Sequence, residues 1–138
     1  MALPDNKCER SLADVPSNQR IQRAYDLRNR LTGISYPGGA TAPINYTYRL
    51  DGTLRTASRG GSTWTYDYNS LGALRSETLE FENAVRSFAY DYNPSGFLRT
   101  TVYPRTPAAP GGEIIGHAPN GLGQPTSVGS YLTTASYY

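Results

Sequence analysis

Apolar and polar positions alternate along much of this chain. Trp64, Tyr66 and Tyr68 interleave with Thr65 and Asp67, a period of two that puts the aromatic set on one face of a strand. Ile44, Tyr46, Tyr48 and Leu50 follow the same pattern, as do Phe88, Tyr90 and Tyr92. A short polar stretch follows each run. In Asn69-Ser70-Leu71-Gly72, for example, Asn can close an Asx-turn and Gly can take the left-handed position. That spacing predicts a short hairpin loop with a glycine bulge. Leu74 opens the second strand, and its side chain folds back over the aromatic face. Each unit reads as strand, tight turn, strand.

The unit repeats. Lead tyrosines fall at Tyr25, Tyr48, Tyr68 and Tyr92, separated by 23, 20 and 24 residues. Four residues after each stands Asn29, Gly52, Gly72 or Gly96, and two further on Leu31, Leu54, Leu74 or Leu98. Four residues before each lies Ile21, Ile44, Trp64 or Phe88, and the column between holds Arg23, Tyr46, Tyr66 or Tyr90. A degenerate fifth copy has Ile115, His117 and Pro119 in these columns and Gly123 in the turn. The expected organisation is a polar leader over 1–20, then units near 21–43, 44–63, 64–87, 88–114 and 115–136, with a sixth begun at 137–138. Return turns are expected at Tyr36-Pro37-Gly38-Gly39, Arg59-Gly60-Gly61 and Glu82-Asn83, and along the stretch from Pro104 to Gly112. A single hairpin cannot bury an aromatic face, whereas stacked hairpins form a continuous sheet.

Composition changes the picture in one respect. Leu, Ile, Val and Phe number only 24 of 138 residues, a level that alone points to disorder. The near-neutral net charge of +2 and the twelve tyrosines point the other way. An aromatic ladder can replace the missing aliphatics, because each aromatic side chain buries about 150–250 Å². The sequence therefore excludes a helical bundle, a coiled coil and a large aliphatic core. No run approaches the ~18 apolar residues of a membrane helix, and the first residues have no secretory apolar stretch.

Candidate chemistry is sparse. Cys8 is the one cysteine and His117 the one histidine, and a Cys8–His117 dyad lacks an orienting group. His117 sits in a tyrosine column, where packing with an edge hydrogen bond accounts for it. Asp26, Asp67 and Asp91 lie on separate copies, which fits turn hydrogen bonds or pairing with Arg. Glu77, Glu80 and Glu82 read as solvated residues at the mouth of a hairpin. Gly38-Gly39, Gly60-Gly61 and Gly111-Gly112 lack the Lys-Ser/Thr ending of a phosphate loop. Asn45-Tyr46-Thr47 matches a glycosylation acceptor but lies inside an expected strand. Arg55, Arg75 and Arg99 share one repeat position, one residue after the leucine, and are expected to form a ladder on the face opposite the leucines. No catalytic residue, cofactor or metal ligand set is expected, and interspersed acids argue against nucleic acid.

The repeat resembles a known family. Tyr25-Asp26, followed by Asn29-Arg30-Leu31-Thr32, is similar to the YD motif of Rhs proteins. Tyr66-Asp67-Tyr68-Asn69 with Gly72 and Leu74, and Tyr90-Asp91-Tyr92-Asn93 with Gly96 and Leu98, resemble its Tyr-x-Tyr-Asp/Asn form. His117-Ala118-Pro119-Asn120-Gly121 resembles the Tyr-x-Pro-Asn-Gly variant. The resemblance spans roughly residues 20–138. It implies an all-β fold of consecutive antiparallel hairpins in a curved, open sheet, part of a β-shell. It also implies a non-enzymatic role, enclosing or presenting a toxin or effector region in a secreted or cell-surface protein. The expected partners are the rest of the repeat array and that enclosed region. The alternative expectation is a carbohydrate- or cell-surface-binding module using Tyr46, Tyr66 and Tyr90 with Arg55, Arg75 and Arg99.

Overall fold

A computed structural model describes residues 20–38 and 40–137. The leader through residue 19, with Cys8, lies outside the described residues, as do Gly39 and Tyr138. Nine strands follow one another in the described chain: β1 (Gln22–Tyr25), β2 (Leu31–Ser35), β3 (Ile44–Tyr48), β4 (Leu54–Arg59), β5 (Ser62–Tyr68), β6 (Leu74–Phe81), β7 (Ala84–Tyr92), β8 (Leu98–Val102) and β9 (Ile114–Gly116). They form one antiparallel sheet in sequence order, with β1 and β9 at its edges. The fold is all-β and open, as the alternation and turn spacing predict. No helix among the described residues is long and apolar enough to cross a membrane.

The hairpin turns explain why the strands begin and end where they do. Asn69 N–H donates to the Ala73 carbonyl and Gly72 N–H to the Asn69 carbonyl, at 2.9 and 3.0 Å. Asn69 Oδ1 also accepts from the N–H groups of Leu71 and Ala73, at 3.0 and 2.9 Å. Asp26, Asn93 and Asn120 capture their own turns in the same way. In the second copy Arg49 occupies that position, and Asp51 accepts from Thr53 instead. Asn29, Gly52, Gly72, Gly96 and Gly123 all have positive φ, the backbone that the repeat column requires. At the opposite end of the sheet, Glu82 and Asn83 both have positive φ, which matches the two-residue hairpin turn that follows strand twist.

One feature departs from simple alternation. The register shifts by a residue in each of the four complete hairpins. Tyr48 faces Leu54 but Thr47 faces Thr56, and Tyr68 faces Leu74 but Asp67 faces Ser76. The extra residues are Thr32, Arg55, Arg75 and Arg99. Bulges of this kind increase local twist and re-aim side chains. They keep the lead tyrosine and its leucine opposite each other while moving Ala57 onto the aromatic face beside Tyr46 and Trp64.

The two faces differ in chemistry. One carries Tyr46, Tyr48, Trp64, Tyr66, Tyr68, Phe88, Tyr90 and Tyr92 by register. The other carries a hydroxyl row in direct cross-strand register, Thr47, Thr56, Thr65, Thr78 and Ser87 on β3 to β7. Within it Thr47 bonds Thr56 at 2.6 Å and Thr78 bonds Ser87 at 3.1 Å, pairs of the kind that stabilise sheets. The sheet is a single layer. Among the described residues only Ile115 and Thr101 are buried, at 9% and 7% exposure.

The structure overturns two expectations. Leu50 is not part of the β3 alternation. Arg49 already begins the turn, leaving Leu50 at its tip and 92% exposed. The fifth copy keeps its first strand and its turn but not a second strand. Only an isolated bridge joins Pro119 to Pro125, and another joins Val128 to Leu132. Proline has no N–H to donate, so a ladder cannot extend through these positions.

Candidate functional site

The aromatic face is the richest concentration of side-chain chemistry, and tyrosine hydroxyls tie its copies together. Tyr48 Oη donates to the Leu31 carbonyl at 2.7 Å, and Tyr92 Oη donates to the Leu74 carbonyl at 2.8 Å. Each bond links a lead tyrosine to the leucine of the preceding copy, beside that copy's register shift. The repeat columns reveal the tyrosines and leucines but not this bond, which depends on strands paired outside one hairpin.

Two arginines outside the expected ladder do the stacking. The Arg30 guanidinium lies 4.6 Å from the Tyr48 ring centroid, and that of Arg49 lies 5.5 Å from Tyr68. Arg30 also pairs with Asp26 and donates to the Arg49 carbonyl. Arg49 pairs with Asp67 at 2.6 Å and donates to the Tyr66 carbonyl. Its Nε is buried without a hydrogen-bond partner among the described residues, and stacking on Tyr68 offsets part of that cost. Arg30 and Arg49 thus couple the first copy to the second and the second to the third.

The residues expected to meet a ligand are in different states. Tyr46, Tyr66 and Tyr90 are half-buried on the aromatic face, while Arg55, Arg75 and Arg99 are exposed. Arg99 bonds Asp91 on the paired strand, at 2.7 Å through Nε. The guanidiniums of Arg55 and Arg75 donate no hydrogen bond among the described residues. All three arginines occupy the extra position of their hairpin, so their shared column marks a bulge.

Glu77 is not a solvated residue. Its register opposite Tyr66 and Phe88 puts it on the aromatic face, where it is half-buried and accepts from Tyr90 Oη at 2.6 Å. Burial, then the Glu77 carboxylate, raises the Tyr90 hydroxyl above its ordinary value, and the same two causes raise Tyr66. Burial raises Tyr92. A phenol whose folded pKa is raised adds stability that is complete below the unfolded value, about 10, and disappears as pH climbs toward the folded value. The sheet is therefore expected to lose stability above about pH 10. Parallel titration of tyrosinate absorbance and strand circular dichroism checks this. A late-ionising set of tyrosines that appears together with loss of strand signal is the expected result. One common tyrosinate curve with the strand signal intact would contradict it.

The carboxylates hold turns and arginines. Hydrogen bonding to the Arg30 backbone and side chain lowers Asp26, the Arg49 side chain lowers Asp67, and the Thr53 hydroxyl lowers Asp51. Their contribution to stability is present above about pH 4 and is lost as pH falls through their folded values. His117 Nε2 lies 2.9 Å from Thr101 Oγ1. Its expected dyad partner, Cys8, lies outside the described residues. No group of three or more His, Cys, Asp or Glu side chains among the described residues converges on a metal position. The arrangement can pack, stack and hydrogen-bond along a repeated surface. Compared with known proteins, the chain matches no family model and no curated sequence.

Proposed function

We propose that this chain is a non-catalytic structural segment of an Rhs/YD-repeat protein, a strip of β-shell that encloses or presents a toxin or effector region. One observation carries the reading: a single-layer sheet of repeated hairpins whose aromatic face has no second layer among the described residues. Domains normally bury such a face against another layer. A wall segment meets that need with whatever the wall surrounds. Further repeats would pair at the sheet edges, and the parent protein would act outside the cell or at its surface.

The coding sequence on either side of this segment tests the reading. In-frame Tyr-x-Tyr-Asp/Asn units with the Gly-x-Leu spacing are expected to continue the array toward a toxin-like region. Unrelated domains abutting the repeats on both sides would overturn it. A second reading, a carbohydrate- or cell-surface-binding module, draws on exposed Arg55 and Arg75, whose guanidinium donors are uncommitted among the described residues.

A further inference from the structure

Three carboxylates are half-buried among the described residues: Asp26, Asp67 and Glu77. Asp26 pairs with Arg30 at 2.7 Å and Asp67 with Arg49 at 2.6 Å. Glu77 has no cationic partner among the described residues. Its Oε1 accepts from Tyr90 Oη at 2.6 Å, and its Oε2 makes no hydrogen bond among them. Arg75, two residues away, acts electrostatically on Asp67. Arg86 lies opposite Leu79, in the neighbouring row.

The surroundings of Glu77 are aromatic. It stands in direct register between Tyr66 on β5 and Phe88 on β7, where facing Cβ atoms are about 4.5–5.5 Å apart. Twice elsewhere the sheet combines a carboxylate with a tyrosine ring, and each time one guanidinium serves both. Arg30 pairs with Asp26 and lies 4.6 Å from the Tyr48 centroid, and Arg49 pairs with Asp67 and lies 5.5 Å from that of Tyr68. Tyr66 and Glu77 repeat the combination without a guanidinium, and the Tyr66 ring carries no cation among the described residues. A planar cation suits the position. It can lie on the ring while its fork of donors meets a carboxylate that has acceptor sites beyond the one used by Tyr90.

Covering this face sharpens the need. An apolar layer over Tyr66, Phe88 and Tyr90 would strip water from Glu77 and leave a buried charge without a counterion, which is strongly unfavourable. A layer that brings a guanidinium replaces that cost with charge-assisted hydrogen bonds.

We propose that Glu77 and Tyr66 receive an arginine side chain from the polypeptide that covers the aromatic face, its guanidinium stacked on Tyr66 and donating to Glu77. That the partner is a polypeptide rests on the wall-segment reading, whereas the preference for a guanidinium rests on this chain's own residues. The two fail separately: the coding context decides the first and binding decides the second.

The probe is a blocked pentapeptide with one arginine among alanines, titrated into the full chain and followed by ring-proton NMR. Saturable shifts at Tyr66 and Phe88 that weaken with added salt are expected. The citrulline form of the peptide is expected to bind about tenfold more weakly or worse, and so is the arginine form to a Glu77→Gln variant. The lysine form is expected to rank between arginine and citrulline, since an ammonium does not stack as a guanidinium does. Glu80→Gln removes an exposed carboxylate opposite Thr63 and Val85 and is expected to leave binding unchanged. If Glu77→Gln does not fold, the citrulline and lysine comparisons on the native chain decide. Absent or non-saturable shifts, equal binding of the citrulline or lysine peptide, or equal binding by Glu77→Gln would overturn the proposal. The same ring shifts on concentrating the chain alone would assign the position to a second copy and overturn it too.

Discussion

Gly72→Val is expected to destabilise the chain by about 1–3 kcal/mol and to lower its thermal midpoint accordingly. Space is not the cause, since a Cβ at Gly72 would meet nothing within 4 Å. The cause is the backbone. Gly72 has φ +79°, a region in which a β-branched side chain is strained. Escape from that strain breaks the Gly72–Asn69 bond and moves the Leu71 and Ala73 N–H groups away from Asn69 Oδ1. The turn joins β5 to β6 in the middle of the sheet, so its loss disturbs strands on both sides. Gly72→Asn should cost much less, because Asn tolerates the left-handed region and Asn29 already occupies the same column at φ 59°. Thermal unfolding of the two variants beside the native chain checks this. Equal midpoints for Val and native would show that the turn does not need its glycine.

Gly112→Ala is expected to cost about 2–4 kcal/mol, because two penalties combine. The residue has φ +85°, and an added Cβ would lie 2.5 Å from the Tyr103 carbonyl oxygen. That oxygen is main chain and cannot swing aside as a side-chain tip can. The β8–β9 connection must shift, and the Tyr103–Glu113 bond that closes it is lost. Trp64 emission should change with the stability, since Trp64 lines one recess with Tyr103, Arg105 and Glu113 of the β8–β9 connection, residues 103–113. Gly111→Ala is the control: its Cβ meets nothing within 4 Å and its φ is not in the left-handed region. It should stay within about 0.5 kcal/mol of native. Equal losses for both variants would mean that the connection is loosely held.

The fold is legible in the sequence where the physics is local. Period-two alternation identifies the strand face at Trp64, Tyr66 and Tyr68, and Asn69 with Gly72 identifies the turn, because each depends on residues within one hairpin. What depends on register is not legible there. Counting back from the Tyr48–Leu54 pair places Thr47 opposite Arg55. The bulge places it opposite Thr56, and a one-residue slip exchanges the faces of everything beyond it. The hydroxyl row from Thr47 to Ser87 follows from that slip, as does the position of Ala57. The half-buried Glu77 differs from expectation for a related reason: its charge points to solvent, but its register opposite Tyr66 outweighs that preference. Stacking by Arg30 and Arg49 leaves no local signal, because their ring partners, Tyr48 and Tyr68, lie in the next copy. For the ligand columns, spacing identified equivalent positions without revealing that Arg55, Arg75 and Arg99 sit at bulges and that Arg99 is committed to Asp91.

The tyrosine bonds between copies have a direction. Tyr48 and Tyr92 both reach toward the N-terminus, each to a carbonyl in the copy before it, and every strand in the sheet lies beside its neighbours in sequence. A copy emerging from the ribosome therefore finds its acceptor already made, and no strand waits for a partner encoded far downstream. Domains generally fold as they are synthesised, N-terminal parts first, and local pairing keeps the entropy cost of each closure small. Such a chain can lengthen by duplicating a hairpin without redesigning what precedes it, since a new hairpin pairs only with the strand just before it. The growing end is the vulnerable place, where the newest strand remains an unpaired edge until the next copy arrives.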